Sequence, residues 1–143
     1  MDTGSRERFQ SLTAQYYKRN QVIILVCSLD NEYFLTRLAK WYTEAQYYVE
    51  DPNVIYALAA TKCDLPSTRR EVTREALLEF AEHYNIREEH VFEVSSVTGE
   101  GVDEMLSCLC EAVVERFVRG SSVPPGHNNC EYWYNLIPIF PAF

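Results

Sequence analysis

The chain has 143 residues, a formal net charge of −8, 47% apolar residues and 24% charged residues. That profile fits one soluble globular domain and excludes a largely unstructured chain. Thirteen basic against 21 acidic residues leave no basic face for nucleic acid and no polybasic patch for a membrane surface.

The elements follow in chain order. Val22-Ile23-Ile24-Leu25-Val26-Cys27 is a continuous apolar run within residues 21–28. It lacks polar alternation, as suits a strand buried on both faces of a parallel sheet. Between Asn31 and Val49, Phe34, Leu38, Trp41, Tyr42 and Ala45 fall at helical spacing, which predicts an amphipathic helix. Asp51-Pro52-Asn53 ends it. Val54 to Thr61 reads as a second buried strand, and Lys62 to Thr73, with Pro66, as a loop. Thr73 is placed to cap a helix that runs to about Tyr84. His90 to Val94 is a short third strand. Ser95 to Gly101 is a loop, and Val102 to Arg119 a helix whose stripe is Val102, Met105, Leu106, Leu109, Val113 and Phe117. Residues 120–126 have linker composition, and Tyr132 to Phe143 is aromatic and apolar, interrupted by Pro138 and Pro141.

Alternating strands and helices predict an α/β fold with a parallel sheet. In such sheets ligands sit at the carboxyl ends of strands, so the loops after Ser28, after Ala60 and after Val94 are the candidates. The longest apolar runs are far short of the ~20 residues that span a bilayer. The opening Met1-Asp2-Thr3-Gly4-Ser5-Arg6-Glu7-Arg8 has no signal-peptide character. An odd count of five cysteines then suits reduced thiols and a cytoplasmic setting. The cysteines show no metal-type pairing, and His83, His90 and His127 are isolated in sequence, so no metal centre is expected. Neither G-x-G-x-x-G nor G-x-x-x-x-G-K-[ST] occurs, so these residues carry no self-sufficient phosphate loop.

Two of the candidate loops read Thr61-Lys62-Cys63-Asp64-Leu65 and Ser95-Ser96-Val97-Thr98-Gly99, and the chain opens Asp2-Thr3-Gly4-Ser5-Arg6-Glu7-Arg8-Phe9-Gln10-Ser11-Leu12-Thr13. Together they resemble the C-terminal two thirds of a Rab-type small GTPase of the Ras superfamily. The opening is similar to D-T-A-G-Q-E-R-F-x-S-L-T, and Tyr16-Tyr17 to the tyrosine pair that follows it. Thr61 to Asp64 resembles the N-K-x-D guanine motif, and Ser95 to Val97 the S-A-K motif. The likeness runs from Asp2 to about Phe117.

The resemblance implies a partial P-loop small-GTPase fold. Three parallel strands with flanking helices form a domain over 1–119, followed by a linker and apolar tail over 120–143. It implies a guanine-nucleotide switch of membrane traffic, cytoplasmic and peripheral to endomembranes. Thr61, Lys62, Asp64, Leu65, Ser95, Ser96 and Val97 would meet GTP or GDP. An Asp carboxylate accepts two parallel hydrogen bonds from the guanine N1–H and 2-amino groups, and Asp64 is that candidate. Lys62 would lay its methylene stem on the base plane. Thr61 and Val97 depart from the family's Asn and Lys. Asp2 stands on the Mg²⁺ side. Ser5 replaces a glycine whose backbone approaches the γ-phosphate, where a Cβ obstructs. Arg6 replaces the glutamine that orients the attacking water; Arg only donates hydrogen bonds and cannot do this.

A full member of the family also carries, before this point, its first strands, its phosphate loop and its first switch. Without them an N-terminally truncated form would bind nucleotide only weakly, of order millimolar. It would not hydrolyse GTP alone and would hold Mg²⁺ only if that part were supplied. No catalytic residue is therefore assigned. The alternative is a non-catalytic interaction module that meets effector or regulator proteins through Phe9, Leu12, Tyr16 and Tyr17. Cys130 is not placed as a prenylation signal. The strands absent from this stretch would lie beside Val22–Cys27, so that segment is expected at a sheet edge. For the tail three outcomes stay open: a solvated segment, a fold-back onto the domain, or docking on another chain or a membrane.

Overall fold

The computed structural model describes residue 17, residues 20–120 and residues 139–141. Three parallel strands, β1 (Val22–Ser28), β2 (Ile55–Thr61) and β3 (Val91–Val94), alternate with three helices, α1 (Tyr33–Tyr48), α2 (Arg74–His83) and α3 (Val102–Gly120). The predicted elements are all present, with ends moved by a residue or two. Two short 3₁₀ turns, Ser67–Arg69 and Glu88–His90, were not predicted from the pattern.

β1 pairs with β2 over its whole length, from Val22 opposite Ile55 to Ser28 opposite Thr61. β2 pairs with β3 from Leu58 opposite Val91 to Thr61 opposite Val94. All seven residues of β1 are buried, because successive side chains point to opposite faces and both faces are covered. On one face Ile23, Leu25 and Cys27 pack with Leu58 and Ala60 under Leu38, Tyr42 and Ala45 of α1 and Leu77 and Ala81 of α2. On the other, Val22, Ile24 and Val26 pack with Ala57, Ala59 and Phe92 under Met105, Leu109 and Val113 of α3.

The helices begin and end where the sequence permits. The Thr73 hydroxyl accepts the Ala76 N–H at 3.2 Å, satisfying one of the orphan donors of the α2 N-terminus. α3 opens with Asp103 and Glu104 in its first turn, where the helix dipole favours negative charge. An ion pair between Arg116 and Asp51 ties α3 to the turn after α1. Phe117, expected on the buried stripe of α3, is 44% exposed; the last buried residue of that stripe is Val113.

One expectation is corrected. β1 is not a bare edge, because Ile139–Pro141 forms a fourth strand, β4, parallel to it. Ile24, Leu25 and Val26 stand opposite Ile139, Phe140 and Pro141, giving the order β3-β2-β1-β4. Pro141 is compatible with this place because a proline lacking its N–H is tolerated on an edge strand.

His90 is 2% exposed, and burial, followed by the nearby Arg87 charge, holds its imidazole below the usual histidine range against the opposing pull of Glu89. The unfolded chain, titrating near pH 6.5, therefore takes up a proton at higher pH than the folded one. Stability is complete above about pH 6.5 and falls as pH drops from there towards the folded value. Urea midpoints should thus decline between about pH 7 and 5.5, and His90→Gln should flatten that decline. An unchanged pH slope in the variant would show that His90 is not its source.

Candidate guanine-recognition site

Because the strands are parallel, the loops after β1, β2 and β3 emerge on one edge of the sheet, and hydrogen bonds extend the strand register into them. The Leu29 N–H donates to Thr61 O at 3.0 Å and the Cys63 N–H to Val94 O at 3.1 Å. The Thr61 hydroxyl donates to Cys27 O at 2.9 Å. Thr61 therefore braces β1 against β2.

Lys62 adopts φ +68°, the left-handed region uncommon for a residue with a Cβ. The chain reverses there, and the Leu65 N–H closes the turn on Lys62 O at 3.1 Å. The Lys62 ammonium donates to Asp30 Oδ2 at 2.5 Å, and the Ser28 hydroxyl donates to the other oxygen of the same carboxylate. Those two bonds, the Lys62 bond first, hold Asp30 below the usual carboxylate range. Both partners are substantially exposed, so the pair orients the loops more than it stabilises the fold.

Ser95 is fully buried at the end of β3. Its hydroxyl donates to Asp64 Oδ1 at 2.5 Å and accepts the N–H groups of Val97 and Thr98, each at 3.2 Å. Its own N–H donates to Glu100 O at 2.9 Å, and its carbonyl accepts the Gly99 N–H at 2.9 Å. Every polar group of this buried residue is satisfied, and one side chain fixes both the position of Asp64 and the shape of the 95–99 loop. Asp64 is exposed, as are Ser96 and Val97, while Leu65 is half-buried. An ionised carboxylate has about four acceptor positions, so the Ser95 bond leaves Asp64 able to accept further donors from solvent or a ligand.

The structure thus brings Thr61, Lys62, Asp64, Leu65, Ser95, Ser96 and Val97 together on one edge of the sheet. Asp2, Ser5, Arg6, Phe9, Leu12 and Tyr16 lie outside the described residues. Tyr17 is described and corrects an expectation: its side chain is 1% exposed and stacks on Tyr48 with ring centroids 6.1 Å apart. A ring in the core cannot also face a partner. Burial, the largest influence, pushes its phenol pKa up.

Sequence reasoning missed two groups. Asp30 belongs to the site through Lys62, a contact between residues 32 apart. Arg70 clamps the 61–65 loop from behind: its guanidinium donates to Leu65 O at 2.9 Å, to Cys63 O and to Glu93 Oε2 at 3.3 Å. Glu93 also meets Arg74 at 3.8 Å. The available signal was a lone glutamate in the otherwise apolar β3, Val91-Phe92-Glu93-Val94, which required cationic partners.

The arrangement presents an exposed carboxylate, the Lys62 stem and an apolar, exposed Val97 at the carboxyl end of the sheet. Among the described residues, no group of His, Cys, Asp and Glu could hold a metal ion, and no helix is long and apolar enough to cross a membrane.

The sequence is similar to those of known proteins. The family model described as Ras family matches residues 1–115. The chain is 35% identical over 118 residues to "Ras-related protein Rab-18" of Caenorhabditis briggsae, covering 82% of this chain and 54% of that protein. It is 31% identical over 130 residues to "Ras-related protein Rab-27A" of Rattus norvegicus, covering 87% and 56%. It is 29% identical over 116 residues to "Putative ras-related protein Rab-5B" of Dictyostelium discoideum, covering 81% and 52%. The chain spans about half the length of the curated relatives it matches. With a match reaching from the first residue to the last turns of α3, and Rab-named relatives over four fifths of its length, the chain belongs to the Ras family and is of the Rab type.

Proposed function

We propose that the loops after β1, β2 and β3 bind the guanine base of GTP or GDP, and that the chain serves as a Rab-like element of vesicle traffic on the cytoplasmic side of endomembranes. The observation that carries the reading is the Asp64–Ser95 pair, which holds an exposed carboxylate at the carboxyl end of a parallel sheet. Asp64 would accept the guanine N1–H and 2-amino groups. The N–H groups of Ser95 and Val97 are engaged within their own loop, so the Ser96 N–H is the donor proposed for the guanine oxygen. Lys62 would cover one side of the base and Val97 the other.

The 143 residues contain no G-x-x-x-x-G-K-[ST] sequence. Phosphate and Mg²⁺ contacts would rest on Asp2 and Ser5 alone, so binding by these 143 residues is proposed to be weak and hydrolysis absent. Effectors or regulators would be met through Phe9, Leu12 and Tyr16, within a domain over 1–119.

Calorimetry on this chain with GDP, GTP and ATP tests the reading. The expected result is a dissociation constant of order millimolar for the guanine nucleotides, no detectable heat with ATP, and loss of the preference in Asp64→Ala. A constant below about 1 μM would overturn the weak-binding part. Equal affinity for GDP and ATP would overturn the site.

A further inference from the structure

We propose that Asp30 is a positioning residue for Lys62: it anchors the lysine ammonium to the loop after β1, which directs the stem towards the base and withholds the charge from the ligand's phosphates. The assignment rests on the reading of these loops as a guanine-binding site. The ligand class they select is then the guanine base, and phosphate number carries little weight in them.

Asp30 stands on a fixed loop. Ser28, opposite Thr61 at the end of the β1–β2 pairing, is buried, and its hydroxyl donates to Asp30 Oδ1. The Asn31 N–H donates to Ser28 O at 3.3 Å. Leu29 O accepts two N–H groups from the segment before α2, Glu71 at 2.7 Å and Val72 at 3.1 Å. The Glu32 N–H donates to the Glu71 carboxylate at 3.2 Å. The Asp30 carboxylate is thus set by its own hydrogen bond and by backbone tied on both sides of it, and its Oδ2 receives the Lys62 ammonium at 2.5 Å.

Lys62 is the adaptable partner. Its backbone is fixed by the turn at φ +68°, but its long stem is flexible and its side chain is 51% exposed. Released, the stem would spread over many rotamers, and its ammonium would be free to meet an anionic ligand. Pairing with Asp30 removes both options: it selects one direction for the stem and sets a negative charge against the positive one. Asp64, two residues on, is held instead by the Ser95 hydroxyl at 2.5 Å. The two carboxylates have separate partners, so Lys62 does not compete with the base for Asp64.

The test titrates the full chain with GMP, GTP and AMP by amide NMR, in magnesium-free buffer at low salt. Asp30→Asn keeps an acceptor for the Ser28 hydroxyl and removes the charge that holds Lys62. GMP should bind it about threefold more weakly than the parent, as for the loss of an exposed pair. Its preference for GTP over GMP should rise about three- to fivefold over the parent's, as for one freed unit charge near phosphate in water, and about 0.5 M salt should erase that gain. Lys62→Met keeps an apolar stem without the charge. It should show the weaker GMP binding and no gain for GTP. In the Asp30→Asn/Lys62→Met variant, which has the parent's net charge, the GMP loss should match that of either single change rather than their product, and the gain for GTP should vanish. Melting temperatures should stay near the parent's, since both partners are substantially exposed. Unchanged GMP binding and GTP preference in Asp30→Asn, with the parent still preferring GMP to AMP, would overturn the role of Asp30 and leave the guanine site standing. No preference for GMP over AMP in the parent would overturn the guanine site and the role of Asp30 with it. A gain for GTP that persists without Lys62 would overturn the proposal, by making it an effect of the lost carboxylate alone.

Discussion

Gly101→Ala is expected to destabilise the chain by about 3 kcal/mol, through strain and collision together. Gly101 has φ +72°, and a Cβ built there would lie 2.3 Å from Glu93 O. The atom it meets is backbone of β3, which cannot swing away as a long side chain would. Gly99 supplies the comparison: it has φ +80° but nothing within 4 Å of an added Cβ. Gly99→Ala should therefore cost only the conformational part, about 1 kcal/mol. Thermal melts of the two variants separate the effects. The melting temperature should fall by roughly 10 °C for Gly101→Ala and by about a third of that for Gly99→Ala. Equal losses would mean that the approach to Glu93 is not what requires glycine. Because the Ser95 N–H bonds Glu100 O at 2.9 Å, a shift at Gly101 should also disturb the 95–99 loop and weaken nucleotide binding.

Arg70→Ala has the second-largest expected effect. It removes donors from Cys63 O, Leu65 O and Glu93 at once and leaves Glu93 with Arg74, 3.8 Å away. Hydrogen bonds to a charged group contribute about 1.5–3 kcal/mol each when fully made. The Arg70 side chain is one-third exposed, which lets water replace part of that, so the net loss should be about 2 kcal/mol. Lysine should not rescue it. A point-charge ammonium cannot reproduce the planar fork that reaches two carbonyls and a carboxylate together. Guanidinium-chloride unfolding of Arg70→Ala and Arg70→Lys checks this, and full recovery in the lysine variant would mean that charge alone suffices. Guanine binding should weaken in both, since the clamped segment carries Lys62 and Asp64.

The parallel core was legible because its signals are local. Residues 22–27 and 55–60 are apolar without alternation, which only a doubly covered strand tolerates. The stripes through Leu38 and Tyr42, Leu77 and Ala81, and Met105 and Leu109 carry the helical period. The loop motifs at 61–65 and 95–97 could be placed because each directly follows such a strand. Their cross-links were not legible. Ser95 with Asp64, Lys62 with Asp30 and Arg70 with Glu93 join residues 23 to 32 apart, and no periodicity encodes such a contact. Tyr17 looked partner-facing from its place in a motif, yet the aromatic side of α1 takes it into the core. β4 was hardest to see. Three residues flanked and ended by proline show no strand period, and their partner strand, β1, is distant in sequence.

That pairing also orders the folding of the chain. Ile24 and Ile139 are partners that lie 115 residues apart (139 − 24) in a chain of 143, so closing their loop is entropically more demanding than closing the β1–β2 or β2–β3 connections. β1, α1, β2, α2 and β3 join close neighbours in sequence and can assemble while synthesis is still in progress. β4 can join only after residue 141 has been made. Until then the backbone of Ile24–Val26 lacks the β4 partners that it has in the finished sheet.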